Sequence, residues 1–216
     1  TTSLTYSGKV VLLDPESYYT LPNKSIQIDG VLDHTTTEAA IDFGEEGTVD
    51  MKDYAGPEDL SGNVWLTWDS DNLYVSAQIR DDVHSQQNTG SGIWIGDSIQ
   101  FGIDAGVPGE DTENSWSEIG VSLTSEGPQA YRWIPDQGLI EEASAQVVRD
   151  EEKQLTTYEL ALPWDEIRQA VPDEELFCLS FLVNDNDGSD RKGWIEWGSG
   201  IGRIKDSSLF NGMKFG

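Results

Sequence analysis

Residues 93–104 read Ile93-Trp94-Ile95-Gly96-Asp97-Ser98-Ile99-Gln100-Phe101-Gly102-Ile103-Asp104, and they decide the fold class. Ile99, Phe101 and Ile103 alternate with Ser98, Gln100, Gly102 and Asp104. A period of two places the apolar set on one face and the polar set on the other, the pattern of a half-buried strand. A Gly-rich loop, Thr89-Gly90-Ser91-Gly92, leads into Trp94, and Gly96-Asp97 separates that tryptophan from the strand. Gln100 is therefore expected on the solvent face, just below an indole on a loop rim. Such a pair offers a platform to a polar, flat-faced ligand.

The same period recurs on both sides of this stretch. Asn63 to Asp69 and Leu73 to Ile79 read as a hairpin about Asp69-Ser70-Asp71-Asn72. Glu118 to Thr124 and Gln129 to Ile134 are strands joined through Gly127-Pro128, and Ala143 to Arg149 pairs with Leu155 to Leu162 about Asp150 to Lys153. Phe177 to Asn184, Gly193 to Trp197 and Met213 to Phe215 complete the set, with Ile26 to Ile28 as a short early strand. Gly44 to Gly62 and Ala105 to Ser117 read as loops. Helical signals are few. Pro163-Trp164 opens a helix over Trp164 to Val171, ended by Pro172, and Leu32 to Ile41 has room for a helical turn with Thr35 to Thr37 as caps. Many short strands and one short helix predict an all-β, antiparallel β-sandwich, jelly-roll-like, with two packed sheets. Residues 1–25 read as an N-terminal extension or linker with a candidate strand at Lys9 to Leu13, and residues 26–216 as the sandwich.

Pooling the alternations separates a core set from an outer set. If Ile99, Ile119, Leu160, Phe181 and Ile195 face the core, then Gln100, Ser122, Glu159, Ser180 and Glu196 face outward. Trp194 joins Glu196 on the outer side, while Trp197 turns inward. Trp65, Trp68 and Trp164 are expected in the core with it. Arg132 and Trp133 are neighbours on one strand, so only one of them can face a site.

Composition narrows the partners. The 216 residues carry 40 acidic and 13 basic side chains, a formal net charge of -27. That argues against nucleic acid and anionic membrane surfaces. It suits divalent cations, Ca²⁺ above all, which takes oxygen ligands. Cys178 is the lone cysteine, so there is no disulfide framework, and His34 with His84 do not make a histidine zinc site. No apolar run reaches the ~18 residues of a membrane span. A start at Thr1 without methionine reads as a processed or excised piece of a larger secreted chain.

Several motifs then fall in register. Ile28-Asp29-Gly30-Val31-Leu32-Asp33 resembles the "IDG-x-(I/L)-D" opening of family 9 carbohydrate-binding modules. Trp68-Asp69-x-x-Asn72-Leu73-Tyr74-Val75 is similar to their "WD-x-x-(N/Y)LYV" hairpin, and Asp81-Asp82-Val83 to the "(D)DxV" after it. The stretch from Trp94 to Asp104 is similar to "W-x-x-DSVE-x-F-(I/V)-D". Tyr158 to Trp164, then Val183-Asn184-Asp185 and the Trp197 strand, continue the order over about residues 26–216. The resemblance implies a DOMON-like β-sandwich, a structural Ca²⁺, and polysaccharide or oligosaccharide binding between two tryptophans. Trp94 matches the first tryptophan. Gln100 stands where the family has a glutamate. The second tryptophan is expected within Gly200 to Asp206, where this chain has Ile204 at the matching place. The arginine expected in the strand after Trp116 falls near Gly120.

The expected ligand-binding residues are therefore Trp94, Gln100, Trp116, Arg132, Trp194 and Glu196, with Trp133 a further candidate for the missing aromatic face. Indoles stack on sugar C–H faces while nearby polar groups pair with hydroxyls. One stack and a few hydrogen bonds support μM to mM affinity, about -8 to -4 kcal/mol. Asp81, Asp82 and Asp97 flank one loop and are the expected Ca²⁺ ligands. Asp185 to Gly188 fails the EF-hand pattern and reads as a plain turn. No GxSxG, HExxH or CxxC motif is present, and no spacing singles out a glycosidase carboxylate pair. The expectation is a non-catalytic glycan-recognition module, extracellular or at the cell surface, joined to other domains of a glycan-active parent. A structural sandwich without sugar binding and a glycoside-active enzyme domain are the alternatives.

Overall fold

The computed structural model of the chain describes residues 18–32, 41–105, 116–167 and 176–216. The strand expected at Lys9 to Leu13 and the caps at Thr35 to Thr37 lie outside these residues. Among the described residues, the strands in chain order are β1 (Tyr19–Leu21), β2 (Ile41–Asp42), β3 (Thr48–Met51), β4 (Leu60–Trp68), β5 (Asn72–Asp81), β6 (Ser98–Asp104) and β7 (Trp116–Thr124). They continue with β8 (Gly127–Ile134), β9 (Gly138–Leu139), β10 (Ser144–Asp150), β11 (Leu155–Pro163), β12 (Leu176–Asp185), β13 (Gly193–Trp197) and β14 (Asn211–Phe215).

They form two sheets. The smaller runs β10-β11-β5-β4-β2, and the larger runs β1-β14-β12-β6-β7-β8-β9, with β13 and β3 added beside β12. Pairing is antiparallel except for β1 on β14. One core fills the space between the sheets. Ile99, Phe101, Ile103, Ile119, Phe181 and Ile195 meet Val64, Leu66, Val75, Tyr158 and Leu160 there. This is the all-β sandwich that the alternations predict, with the stretch from Ser98 to Asp104 near its centre.

β12 organises the larger sheet. Its first half pairs with β14 and its second half with β13, while β6 lines its other edge. A strand with neighbours on both edges and faces is continuously buried, which is why Phe177 to Asn184 is nearly unbroken in apolar residues. The outer face of this sheet is also covered. Residues 198–210 fold over it and enclose a second apolar cluster of Trp116, Cys178, Leu182, Ile201 and Phe210. Gly102 permits this cover, because a Cβ there would sit 2.4 Å from Phe210 Cζ.

Several expectations change. Ile26 to Ile28, expected as a short early strand, is irregular, and Gln100, expected on the solvent face, is buried on the covered outer face of β6. Gly44 to Gly62 is not all loop: a helical turn α1 (Phe43–Glu46) and β3 occupy its first part, and β4 begins at Leu60. Asp42 caps α1 by accepting from the Gly44 amide at 2.8 Å. β3 is held by backbone pairing to the edge of β13 and buries neither face fully, so it leaves no alternation to read. The helix expected from Trp164 is a 3-10 turn, Trp164–Glu166, and Ile167 is already extended. The rest of that expected helix lies outside the described residues. Glu159 faces outward as expected, but from the smaller sheet, where it accepts from the amides of Asp29 and Gly30. Trp164 and Trp197 are buried in the core. Trp68 packs on its edge, and Trp65 lies half-buried on the outer side of β4. Among the described residues no helix is long and apolar enough to cross a membrane.

Candidate functional site

Trp94 sits on a 3-10 turn, Gly90–Ile95, that leads into β6. The turn is pinned from several directions. Ile93 plugs into the protein with no exposure. Gln86 Nε2 donates to the Ile93 carbonyl at 2.9 Å, Asn186 Nδ2 to the Ile95 carbonyl at 2.8 Å, and Trp133 Nε1 to the Ser91 carbonyl at 3.0 Å. The Gly90 amide donates to Gln129 Oε1 at 2.9 Å. So anchored, the turn leaves Trp94 40% exposed, an indole held at a fixed place.

Beside it, on the outer face of the larger sheet, lies a cleft of about 350 Å³, within the size range of small-ligand pockets. Trp94, Trp133, Ile134, Gln137, Arg191 and Lys205 form its walls, and Gln100 and Glu118 form its polar floor. Gln100 and Glu118 hydrogen bond to each other, Asn184 donates to Gln100 Oε1 at 3.2 Å, and Lys205 pairs with Glu118. Trp133 reaches the cleft because β7 and β8 slip register between Glu118 and Ile119. Its ring lies over Gly120, where a Cβ would come 2.5 Å from Cη2.

The expected site residues divide into three groups. Trp94 and Gln100 line the cleft, and Trp133 is the second tryptophan there. Trp194 and Glu196 border an adjoining cleft of about 440 Å³, together with Ile204. Trp116 and Arg132 are elsewhere. Trp116 is buried edge-on against Phe210, and Arg132 turns to Glu166, 2.6 Å away, on the side opposite Trp133. Ile204, at the matching place for the family's second tryptophan, is 53% exposed and does not line the first cleft.

Arg191, Glu118 and Lys205 were not singled out by the sequence. Arg191 lies in the turn between β12 and β13, where no periodicity marks it. Its guanidinium stands 4.2 Å from the Trp194 ring centroid and 5.4 Å from that of Trp94. Burial lowers its pKa to about 10, against the opposing pull of Glu196, Asp50 and Glu118.

Behind the cleft is a cluster of acids. Asp81, His84 and Asp97 form one group, Asp59, Asp185 and Asp187 a second, and Asp81, Asp82 and Asp187 a third that bridges them. The expected trio is thus split: Asp81 belongs with Asp97 in one group and with the exposed Asp82 in another. His84 Nδ1 stands 3.4 Å from Asp97 and 3.7 Å from Asp81. Burial, then the charge of Asp81, raises the Asp97 carboxyl well above the usual range. Asp185 has no exposure, and neither of its oxygens receives a hydrogen bond. Burial and Asp187 push it up to about 7, although Lys192 Nζ lies 3.5 Å away. Bare, buried carboxylate oxygens fit a hard cation that accepts oxygen ligands.

Comparison with known proteins bears on this geometry. A family model described as "Carbohydrate family 9 binding domain-like" matches residues 28–216. No curated protein sequence matches the chain. Among solved structures, a carbohydrate binding module family 9 from Caldicellulosiruptor kristjanssonii in complex with cellotriose superposes with a TM-score of 0.65. It is 19% identical and covers 92% of this chain and 93% of its own. The same organism's module in complex with glucose gives 0.64, at 19% identity over 91% and 94% of the two chains. The fold is theirs, and by the family match over residues 28–216 the chain belongs to the carbohydrate family 9 binding domain-like family.

Proposed function

We propose that the chain binds a saccharide, without transforming it, in the cleft walled by Trp94 and Trp133. One observation carries this reading: two tryptophans from separate elements border a cleft whose floor is Gln100 and Glu118. Indole faces shed water onto sugar C–H surfaces, and the floor supplies donors and acceptors for hydroxyls. The cellotriose and glucose bound to the C. kristjanssonii modules support a saccharide as the ligand class. The carboxylates favour binding over hydrolysis. A glycosidase needs one acid and one base free in the cleft. Here Glu118 is engaged by Lys205 and Gln100, and Glu196 by the amides of Ile201 and Gly202.

Ca²⁺ belongs to the same reading. Asp185 would hold it together with Asp59 and Asp187, and Asp81 and Asp82 adjoin through Asp187. The bare oxygens of Asp185 support this assignment. The ion would supply positive charge to carboxylates that otherwise repel one another in a buried place. A secreted or cell-surface parent, acting on extended glycans, is where such a module serves, and a net charge of -27 suits that setting.

A glycan array holding neutral and acidic saccharides, followed by calorimetry, tests the function. The expected result is a Kd between μM and mM for at least one saccharide, weakened at least ~10-fold, or about 1.4 kcal/mol, in Trp94→Ala. Absence of any binding, or binding unchanged in Trp94→Ala, would overturn the assignment. Turnover of the bound saccharide would favour an enzyme.

A further inference from the structure

We propose that the saccharide taken by this cleft is acidic, a uronate or similarly carboxylated sugar whose carboxylate pairs with Arg191. The inference rests on the carbohydrate-binding reading above and names the class of ligand.

It begins with what Arg191 lacks. Among the described residues no carboxylate lies within ion-pair distance of it, and its buried Nε has no hydrogen-bond acceptor. Three carboxylates are close enough for their charge to be felt: Glu196, Asp50 and Glu118. Each is committed to another donor. Glu196 Oε1 accepts from the Ile201 amide at 2.9 Å and the Gly202 amide at 3.2 Å. Asp50 Oδ1 accepts from Arg203 Nη2 at 2.8 Å. Glu118 is held by Lys205 and Gln100. In a chain with 40 acidic and 13 basic residues, an arginine left without an acid partner is against the odds of composition.

Its placement is equally specific. The guanidinium stands over the indoles of Trp194 and Trp94, 4.2 Å and 5.4 Å from their centroids, and cation–π attraction to the two rings holds it at the cleft. Trp94 and Arg191 line the same cleft. A sugar stacked on an indole there would carry its substituents to the guanidinium. Lys205 offsets the charge of Glu118 on the floor, which leaves the Arg191 guanidinium as the cleft's uncompensated charge, and Gln100 contributes a neutral amide. A buried, unpaired donor is costly, and a carboxylate is the acceptor that meets a guanidinium fork with two parallel bonds. A hydroxyl satisfies one N–H and leaves the charge uncompensated. The burial that lowers the Arg191 pKa to about 10 describes the same unmet demand.

The test compares acids with their neutral isosteres. Calorimetry is run at one fixed calcium concentration with trigalacturonate, trimannuronate and glucuronate-capped xylotriose, each beside its methyl ester, and with cellotriose. At least one acid is expected to bind roughly 10-fold more tightly than its ester, the effect of one desolvated charge-assisted pair. Added salt should narrow the gap. Arg191→Gln should bring the ratio to about one, and Arg191→Lys, which keeps the charge without the fork, should fall between. Equal binding of acids and esters, or of cellotriose and acids, overturns the acidic assignment and leaves the carbohydrate reading standing. A preference that survives in both variants overturns the role of Arg191. Binding of no saccharide overturns both readings together.

Discussion

Asp185 is fully buried, and neither of its carboxylate oxygens receives a hydrogen bond. Its pKa, pushed up to about 7 by burial and Asp187, says that the charged form is disfavoured without an added cation. In the metal-free protein, Asp185→Asn should therefore raise Tm, because a neutral isostere removes a buried repulsive charge. The wild type should gain from Ca²⁺ instead. At a hundredfold excess over Kd, binding is worth about 2.7 kcal/mol, or roughly 5–10 °C for a chain of this length. Asp185→Asn should lose most of that gain. Thermal melts of both proteins in Ca²⁺ and in EDTA read the difference, and a wild-type Tm indifferent to EDTA would remove the ion. The residue scale also shows what a sequence conceals. Trp94 and Gln100 were legible because alternation puts Gln100 on the outer face and the glycines present the indole. Asp185 and Arg191 stand in or beside a turn, where period gives no face and only tertiary neighbours confer meaning.

At the scale of elements, the site depends on how β7 and β8 meet. The register slip between Glu118 and Ile119 turns Trp133 into the cleft, and Gly120 leaves room for its ring. Gly120→Ala should push that ring out of place, since the new Cβ would lie 2.5 Å from Cη2 and 3.2 Å from the Ile99 carbonyl. Saccharide affinity is expected to fall roughly 10-fold, about 1.4 kcal/mol. Tm should fall by roughly 2–12 °C, as for an overpacking cost of about 1–3 kcal/mol. Calorimetry alongside a melt separates the two, and unchanged affinity would show that the Trp133 ring is not part of the site. The hairpins β4–β5 and β10–β11 were readable because each has a strong alternation and a polar turn. The slip was not, because a bulge breaks the very period that locates strands. α1 and β3 were missed for a related reason, since backbone pairing to β13, rather than an apolar face, holds β3 in place.

In the molecule as a whole, the cleft and the acidic cluster share their supports. Asp97 accepts from the amides of Ser85 and Asn186, tying the Trp94 loop to the turn after β12. The Lys192 amide closes that turn on the Asp185 carbonyl at 2.7 Å, directly beside Arg191. Asp97 thus ties the segment that carries the indole to the turn that carries the guanidinium. The sandwich class was legible from alternation alone, because it depends on many strands at once. Which loops converge over the outer face depends on topology, which no single stretch encodes. The direct test of the central claim is the indole N–H spectrum of ¹⁵N-labelled protein, titrated with the tightest saccharide from the array. Eight tryptophans give eight assignable probes. The account predicts shifts at Trp94, Trp133 and Trp194, with Trp68, Trp164 and Trp197 still, since these three pack in or against the sandwich core and do not line the cleft. Shifts confined to the core tryptophans, or no shift at Trp94 and Trp133 at saturation, would contradict it.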